Sequence, residues 1–324
     1  MRLRRTLAGT ETTIARGKSV KNIVIIGAGA MGCLFAARMS EAGAHVTLID
    51  VDRARLDLLA QGGVELIDDK GRRTVRVEAS LAENFDGPAD LVMLFTKGAH
   101  SAAAVASVKH LAAQKPAALT LQNGIGNAER LAEIFGADRV LMGTAHIPAD
   151  LTGPKSVETH GFAHLHIGGF TGAAHEYAAP AAALLEKSGF ETHVTAEIES
   201  AVWEKLAFNA ALNAVAMICE APNGAMNNPA GRRIADAVTA ETVAVASARG
   251  LTLDHEGVRD NIARALADHP GHKASMLQDR EAGRATEIET INGALAQEGE
   301  RLNVPTPVTQ TLADLVRVIE AKSH

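Results

Sequence analysis

KNIVIIGAGAMG, residues 21–32, decides the fold of this chain. A β-branched apolar run turns abruptly into Gly27-Ala28-Gly29-Ala30-Met31-Gly32. CLFAARMSEAGA, which follows, reads as a helix ending at Gly43, and HVTLID, residues 45–50, as a second strand. Strand, glycine turn, helix and strand in that order make a dinucleotide-binding βαβ unit. The first glycine makes the tight turn and the second lets backbone approach a pyrophosphate. The third lets helix pack closely on strand, and the helix N-terminus attracts the phosphates. A glycine turn alone can serve packing. Here the strand before, the helix after and an acid closing the second strand agree, so Gly27, Ala28, Gly29, Ala30, Met31 and Gly32 are expected to hold the cofactor.

That acid is Asp50. A carboxylate there can accept hydrogen bonds from the ribose hydroxyls of NAD and repels a 2′-phosphate. Arg53 and Arg55 follow, and guanidinium groups suit phosphate. The residues therefore lean towards NAD(H) and leave NADP(H) open. A simple turn role for Asp50 is the competing reading.

Repeated strand–helix alternation extends the pattern. ADLVMLFT (residues 89–96), AALTLQ (117–122) and RVLMGTA (139–145) read as buried strands with helical segments between them. Such alternation implies a doubly wound parallel sheet, whose ligands bind outside the carboxyl ends of the strands. Lys97 and Asn123 each stand just after a strand, at that edge. Singly, a loop lysine is more often solvated and Asn-Gly is commonly only a turn. Residues 151–170 change texture to short strands with Gly and His. His164 and His166 share a strand face with His160 nearby, but no third ligand has metal-site spacing, so no metal is expected. After Thr195 the chain reads as helical to its end. The expected organisation is α/β: a basic N-terminal extension (1–20), a Rossmann-type dinucleotide-binding domain (21–195) and an all-helical domain (196–324).

Composition bounds the function. The 324 residues suit two domains, and with only 3% aromatic content the core must be aliphatic. A net charge of −6 gives no reason to expect nucleic acid. No apolar run approaches a membrane span. Cys33 and Cys219 fall in helical segments without ligand spacing and read as buried free thiols of a reducing compartment, hence a cytoplasmic protein. The Arg- and Thr-rich first twenty residues lack a secretory apolar core; a plain extension is favoured over an organelle leader.

In the helical part, VWEKLAFNAALNAVAMIC (residues 202–219) carries Lys205, Asn209 and Asn213 at intervals of four, which puts them in one stripe on a helix. Small apolar neighbours imply that little of this helix meets water. Buried amides and an ammonium need partners or cost a few kcal/mol each. A bound polar molecule would supply them; a half-exposed helix face is the bland alternative. Further on, Ser275 precedes a helical MLQDREAG, and Thr286-Glu287 open a second helix. As isolated residues, both read as helix-start features.

GAGAMG, the strand-end Lys97, QNGIGN, WEKLAFNAALNAV, APNG, SMLQDREAGRATEIETING and VPTPVTQTL, in this order, resemble the ketopantoate reductase (2-dehydropantoate 2-reductase) family over residues 21–319. The WEK-x5-N and SMLQD–TEI–NG motifs are far more specific than the glycine loop. The resemblance implies a Rossmann domain, a helical domain and an active site between them. It makes Lys205 the general acid, with Glu287 beside it or against the cofactor. Asn123, Asn209, Asn213, Asn223 and Ser275 become substrate contacts, with Asn123 also by the cofactor. Lys97 falls by the nicotinamide ribose, and Ala149 near the cofactor. One departure stands out: NADPH-using members carry a basic residue after the second strand, where this chain has Asp50-Val51-Asp52. The implied activity is NAD(P)H-dependent reduction of ketopantoate to pantoate, with a small 2-keto acid as partner and a homodimer left open. The alternatives are an NAD-dependent 2-hydroxyacid dehydrogenase on the same scaffold and, more remotely, a non-catalytic dinucleotide-binding sensor.

Overall fold

The computed structural model describes residues 20–322. The basic extension therefore lies outside the described residues, apart from Val20. The βαβ unit forms where the glycine turn demanded it: β1 (Asn22–Ile26), α1 (Ala30–Glu41) and β2 (His45–Ile49). An eight-stranded sheet grows from β1. Its order is β12 (Glu191–Val194), β11 (His164–Gly169), β8 (Val140–His146), β7 (Ala117–Thr120), β6 (Leu91–Leu94), β1, β2 and β5 (Glu78–Ser80). From β5 to β8 every pairing is parallel. The expected all-parallel sheet stops there, because β11 runs antiparallel to β8 and β12 parallel to β11. A second, four-stranded sheet orders β4 (Gly71–Val75), β3 (Val64–Asp68), β10 (Ser156–Glu158) and β9 (Asp150–Leu151).

Residues alternate across the sheet, so its two faces seed two cores. Ile23, Ile25, Leu119 and Leu141 pack with α1 and with α5 (Ala178–Lys187). Val24, Val92, Val140 and Met142 pack on the other face, against α3 (Ser101–Ser107), α4 (Asn127–Phe135) and the start of α6 (Ile198–Cys219). Helix α6 then becomes the spine of the helical part. Trp203, Leu206, Ala210, Leu212 and Met217 pack with α7 (Pro229–Ala248), α8 (His255–Asp268), α9 (Ser275–Glu281), α10 (Ala294–Arg301) and α11 (Pro307–Ala321). Its apolar residues face inward nearly all round, so most of the helix is buried.

Two expectations change here. Cys33 is buried, and burial pushes its thiol up to about 12; Cys219, however, is exposed, because α6 ends there at the surface. The segment after α9 is not a plain helix start either. Residues 284–287 are irregular, and the chain re-enters helix through a π-turn, Glu289–Gly293. Among the described residues no helix is long and apolar enough to cross a membrane.

Candidate active site

The glycine loop has the geometry its spacing requires. Gly27 has φ +105°, and a Cβ there would lie 2.8 Å from the Thr96 amide. A Cβ on Gly32 would lie 1.8 Å from the Gly27 carbonyl oxygen, so only glycine lets α1 sit this close to the loop. Gly29 differs: nothing lies within 4 Å of where its Cβ would be. It is also the N-cap of α1 and offers no side chain to the free N–H groups of the first turn. An open approach and unsatisfied amides at a helix N-terminus fit a pyrophosphate.

Asp50 closes β2 and is held by the loop itself. One oxygen accepts from the Ala28 N–H at 2.6 Å, the other from the N–H groups of Val51 and Asp52. It is thus a turn residue and, at the same time, a fixed negative charge beside the loop. Arg53 points away and pairs with Glu83. Arg55 turns inward and donates to the Ala28 carbonyl at 3.0 Å.

Across the cleft, the spacing of α6 gives the expected stripe: Asn209 and Asn213 are buried and Lys205 half-buried. The Lys205 ammonium donates to the Ala145 carbonyl at 2.6 Å. Strand β8 runs on to His146 beyond its last partner on β7, where Thr120 faces Met142. That leaves carbonyls on the β7 side without a strand partner, and Lys205 takes one of them. Burial lowers the lysine from its usual range to about 8, and the nearby Glu287 carboxylate opposes the lowering. Asn213 donates to the Ser275 hydroxyl at 3.2 Å. Ser275 is not a cap: Ala274 holds that position, and the hydroxyl is free to face the cleft.

Further polar contacts tie the two halves together. Asn123 donates to Glu287 at 3.1 Å, and the Lys97 ammonium meets Asp279 at 2.5 Å. Asp279 is almost fully buried and also accepts from Arg284. It lies inside the SMLQD motif, yet nothing in its spacing marked it as a partner of Lys97. Close backbone approach accompanies these ties, because Gly98 and Gly124 abut Thr290 of the π-turn. The Ile125 N–H donates to the Thr290 carbonyl. π-Turns occur frequently at functional sites.

Asn223 sits apart from this row, beside the 269–272 loop, where its N–H donates to the His272 carbonyl. Its side-chain oxygen is buried without a partner. Such an atom costs stability unless a ligand satisfies it. Ala149 lies half-buried in the loop after β8. Histidines 164 and 166 do share a face of β11, and both are half-buried. Among the described residues no group of three or more His, Cys, Asp or Glu is arranged to hold a metal ion. Sequence reasoning missed His146, which follows Ala145 and lies within the electrostatic reach of Lys205.

A glycine loop shaped for a dinucleotide, together with a desolvated lysine on a helix that packs against the same sheet, fits a nicotinamide-dinucleotide-dependent oxidoreductase. The family profiles described as "Ketopantoate reductase PanE/ApbA" and "Ketopantoate reductase PanE/ApbA C terminal" match residues 23–172 and 197–320. The chain belongs to the ketopantoate reductase family. It is 33% identical to the 2-dehydropantoate 2-reductase of Halobacterium salinarum over 92% of this chain and 98% of that protein. It is 30% identical to that of Archaeoglobus fulgidus over 93% and 99%. A PanE/ApbA family ketopantoate reductase from Ralstonia eutropha superposes with a TM-score of 0.85 at 29% identity, covering 93% of this chain and 99% of that one. A D-mandelate dehydrogenase solved with NADH and anilino(oxo)acetate shares the fold, with a TM-score of 0.88 at 24% identity and the same coverage.

Proposed function

We propose that this protein reduces 2-dehydropantoate to pantoate, with residues 21–195 holding the dinucleotide and residues 196–324 completing the substrate site. The observation that carries this reading is Lys205, a desolvated ammonium under the charge of Glu287, on the helix stripe that runs through Asn209 to Asn213 and its contact with Ser275. Glycines 27, 29 and 32, with the free amides at the start of α1, would hold the pyrophosphate. Lys97, Asn123 and Ala149 would line the nicotinamide side. When bound, the dinucleotide supplies the hydride.

The chain's own residues do the rest. As the carbonyl carbon of a 2-keto acid is reduced, negative charge builds on its oxygen. Lys205 has three N–H donors, of which Ala145 engages one. The others stabilise that oxygen and transfer a proton to it. With an ionisation near 8, Lys205 is mostly ammonium at neutral pH and still a competent acid. Glu287 keeps it charged. Buried Asn209 and Asn213, Ser275 and the unpaired oxygen of Asn223 can hold carboxylate and hydroxyl groups. A site built to hydrogen-bond a hydroxyl rejects analogues that lack it.

For the cofactor, the fixed Asp50 carboxylate supports NADH. Three backbone N–H groups hold it, so it cannot swing aside for a 2′-phosphate. The inward turn of Arg55 supports a second reading, NADPH, since a guanidinium already stands at the loop. The same Asp50 carboxylate also suits an NAD-dependent 2-hydroxyacid dehydrogenase on this scaffold.

Consumption of NADH and of NADPH, measured with 2-dehydropantoate and with 2-keto acids lacking its hydroxyl, tests all of this. We expect 2-dehydropantoate to give the highest kcat/KM. Preference for an unhydroxylated keto acid would overturn the substrate assignment.

A further inference from the structure

A row of imidazoles lies beside Lys205. The register of β8 with β11 sets His146 opposite His164, and that of β11 with β12 sets His164 opposite Glu191 and His166 opposite His193. Paired residues share a face, so all five project from one side of the sheet. One oxygen of Glu191 lies 3.1 Å from His164 Nδ1 and the other 3.2 Å from His193 Nε2. His193 stacks on His166 with centroids 5.4 Å apart. Phe162, 80% exposed, stacks on His164 at 5.7 Å.

The inner end of the row meets the site. Val140 and Met142 pack with Ile198 and Val202, and alternation along β8 carries His146 onto that same face. Lys205 lies three residues beyond Val202 on α6, and its ammonium is docked on the carbonyl next to His146. At the outer end, Glu191 and His193 have side chains more than half exposed. A solvent-open imidazole, His146, therefore stands within electrostatic reach of the ammonium, and the row of titratable groups continues from it to the edge of the sheet.

Each reduction of a keto acid consumes one proton. After giving it, Lys205 is a desolvated amine; Glu287 acts on it as a negative charge and Ala145 offers it only a carbonyl, so neither returns the proton. We propose that His146 is the residue through which Lys205 regains its proton from solvent, with His164, His166, His193 and Glu191 gathering protons at the sheet edge. The inference rests on Lys205 as the acid of the proposed reaction. His146 acts through Lys205 and is a positioning residue.

The proton balance is simple. An N–H bond of Lys205 breaks as an O–H bond forms on the substrate. A solvent or buffer acid then protonates one nitrogen of His146, and the proton on the other nitrogen passes to the Lys205 amine, directly or through water. His146 ends neutral, in its other tautomer. Charges facing His146 set the timing: Lys205 from α6, His166 and His164 from β11, with Glu287 acting on Lys205. Much of His146 is open to solvent, but desolvation of its inward side and the Lys205 ammonium hold it below the ordinary histidine range. Once the ammonium is spent, that repulsion goes and the imidazole becomes a better base.

The test uses the full chain, His146→Gln and His146→Phe, with 2-dehydropantoate near pH 7, where Lys205 is mostly ammonium. The first turnover, followed by rapid mixing, should match wild type, because Lys205 begins charged. Steady-state turnover in dilute buffer should fall about fivefold or more, short of the roughly hundredfold loss of a general acid itself because water still reaches Lys205, and added imidazole should restore it. Thermal melting and dinucleotide titration should be unchanged. Equal slowing of first and later turnovers, or a loss that imidazole leaves in place, would show a structural role only and overturn the proposal. So would variants that cycle like wild type in dilute buffer. A wild type that reduces no keto acid overturns the Lys205 assignment and this inference together, whereas an active wild type with indifferent variants overturns this inference alone.

Discussion

Replacing Lys205 by Met separates what the lysine costs the fold from what it does in catalysis. In the unfolded chain the group keeps its proton up to its usual 10.5; in the folded protein burial, partly offset by Glu287, lowers this to about 8. The difference corresponds to at most about 3 kcal/mol against the ammonium in the native state. Between those two values unfolding takes up a proton, so stability rises with pH across that window, and below about pH 8 the full penalty stands. Lys205→Met removes the penalty but strips the Ala145 carbonyl of its donor, at a cost of about 1 kcal/mol. The first effect is larger. The variant should therefore melt higher than wild type near pH 7, with a gain that shrinks above pH 8. Its reductive turnover should drop by about a hundredfold or more, the scale of a lost general acid. In wild type, reduction should decline about tenfold between pH 7 and pH 9 as the ammonium is lost, while oxidation of pantoate rises over the same range. Melting curves and steady-state rates across pH decide it. A reductive profile flat to pH 10, or a Met variant within a factor of about three of wild-type turnover, would refute the acid assignment. A variant less stable at pH 7 would refute the desolvation reasoning.

Asn213→Ala leaves the Ser275 hydroxyl without its donor and should weaken use of 2-dehydropantoate by about 1–3 kcal/mol more than use of an analogue lacking the hydroxyl; equal losses in kcat/KM would show that the amide only supports structure. Asp50→Ser should move preference towards NADPH by about tenfold or more, or about 1.4 kcal/mol, in paired kcat/KM measurements. A wild type strongly preferring NADPH would sink that reading and set Arg55 on the phosphate. Gly32→Ala, whose Cβ would run into the Gly27 carbonyl, should cost about 1–3 kcal/mol in chemical denaturation. Gly29→Ala meets nothing in the protein and should leave stability intact while weakening dinucleotide binding in a fluorescence titration. Identical behaviour of the two variants would contradict the division of labour in the loop.

Much of the chemistry was legible in order along the chain. Gly27, Gly29, Gly32 and Asp50 fall within one βαβ unit, where turn stereochemistry and helix-end charge act between near neighbours. Lys205, Asn209 and Asn213 line up because a helix repeats its face every four residues or so. Both signals are local, and the structure realises both. The antiparallel turn of β11, the second sheet and the π-turn before α10 were not legible, since strand direction and pairing are settled by packing between distant segments rather than by periodicity.

The sequence by itself determined the glycine loop, the acid that closes β2 and the polar stripe of α6, because each depends on backbone geometry over a few residues. Only the tertiary structure decided which groups face one another across the cleft. Lys97 and Asp279 are 182 residues apart, and Asn123 and Glu287 are 164 apart. Lys205 finds a carbonyl left free because β8 outruns β7, and the histidines gather because three strands from different parts of the chain happen to register. No spacing in one dimension encodes such contacts; they arise when apolar faces bury against each other and carry their polar residues into one place.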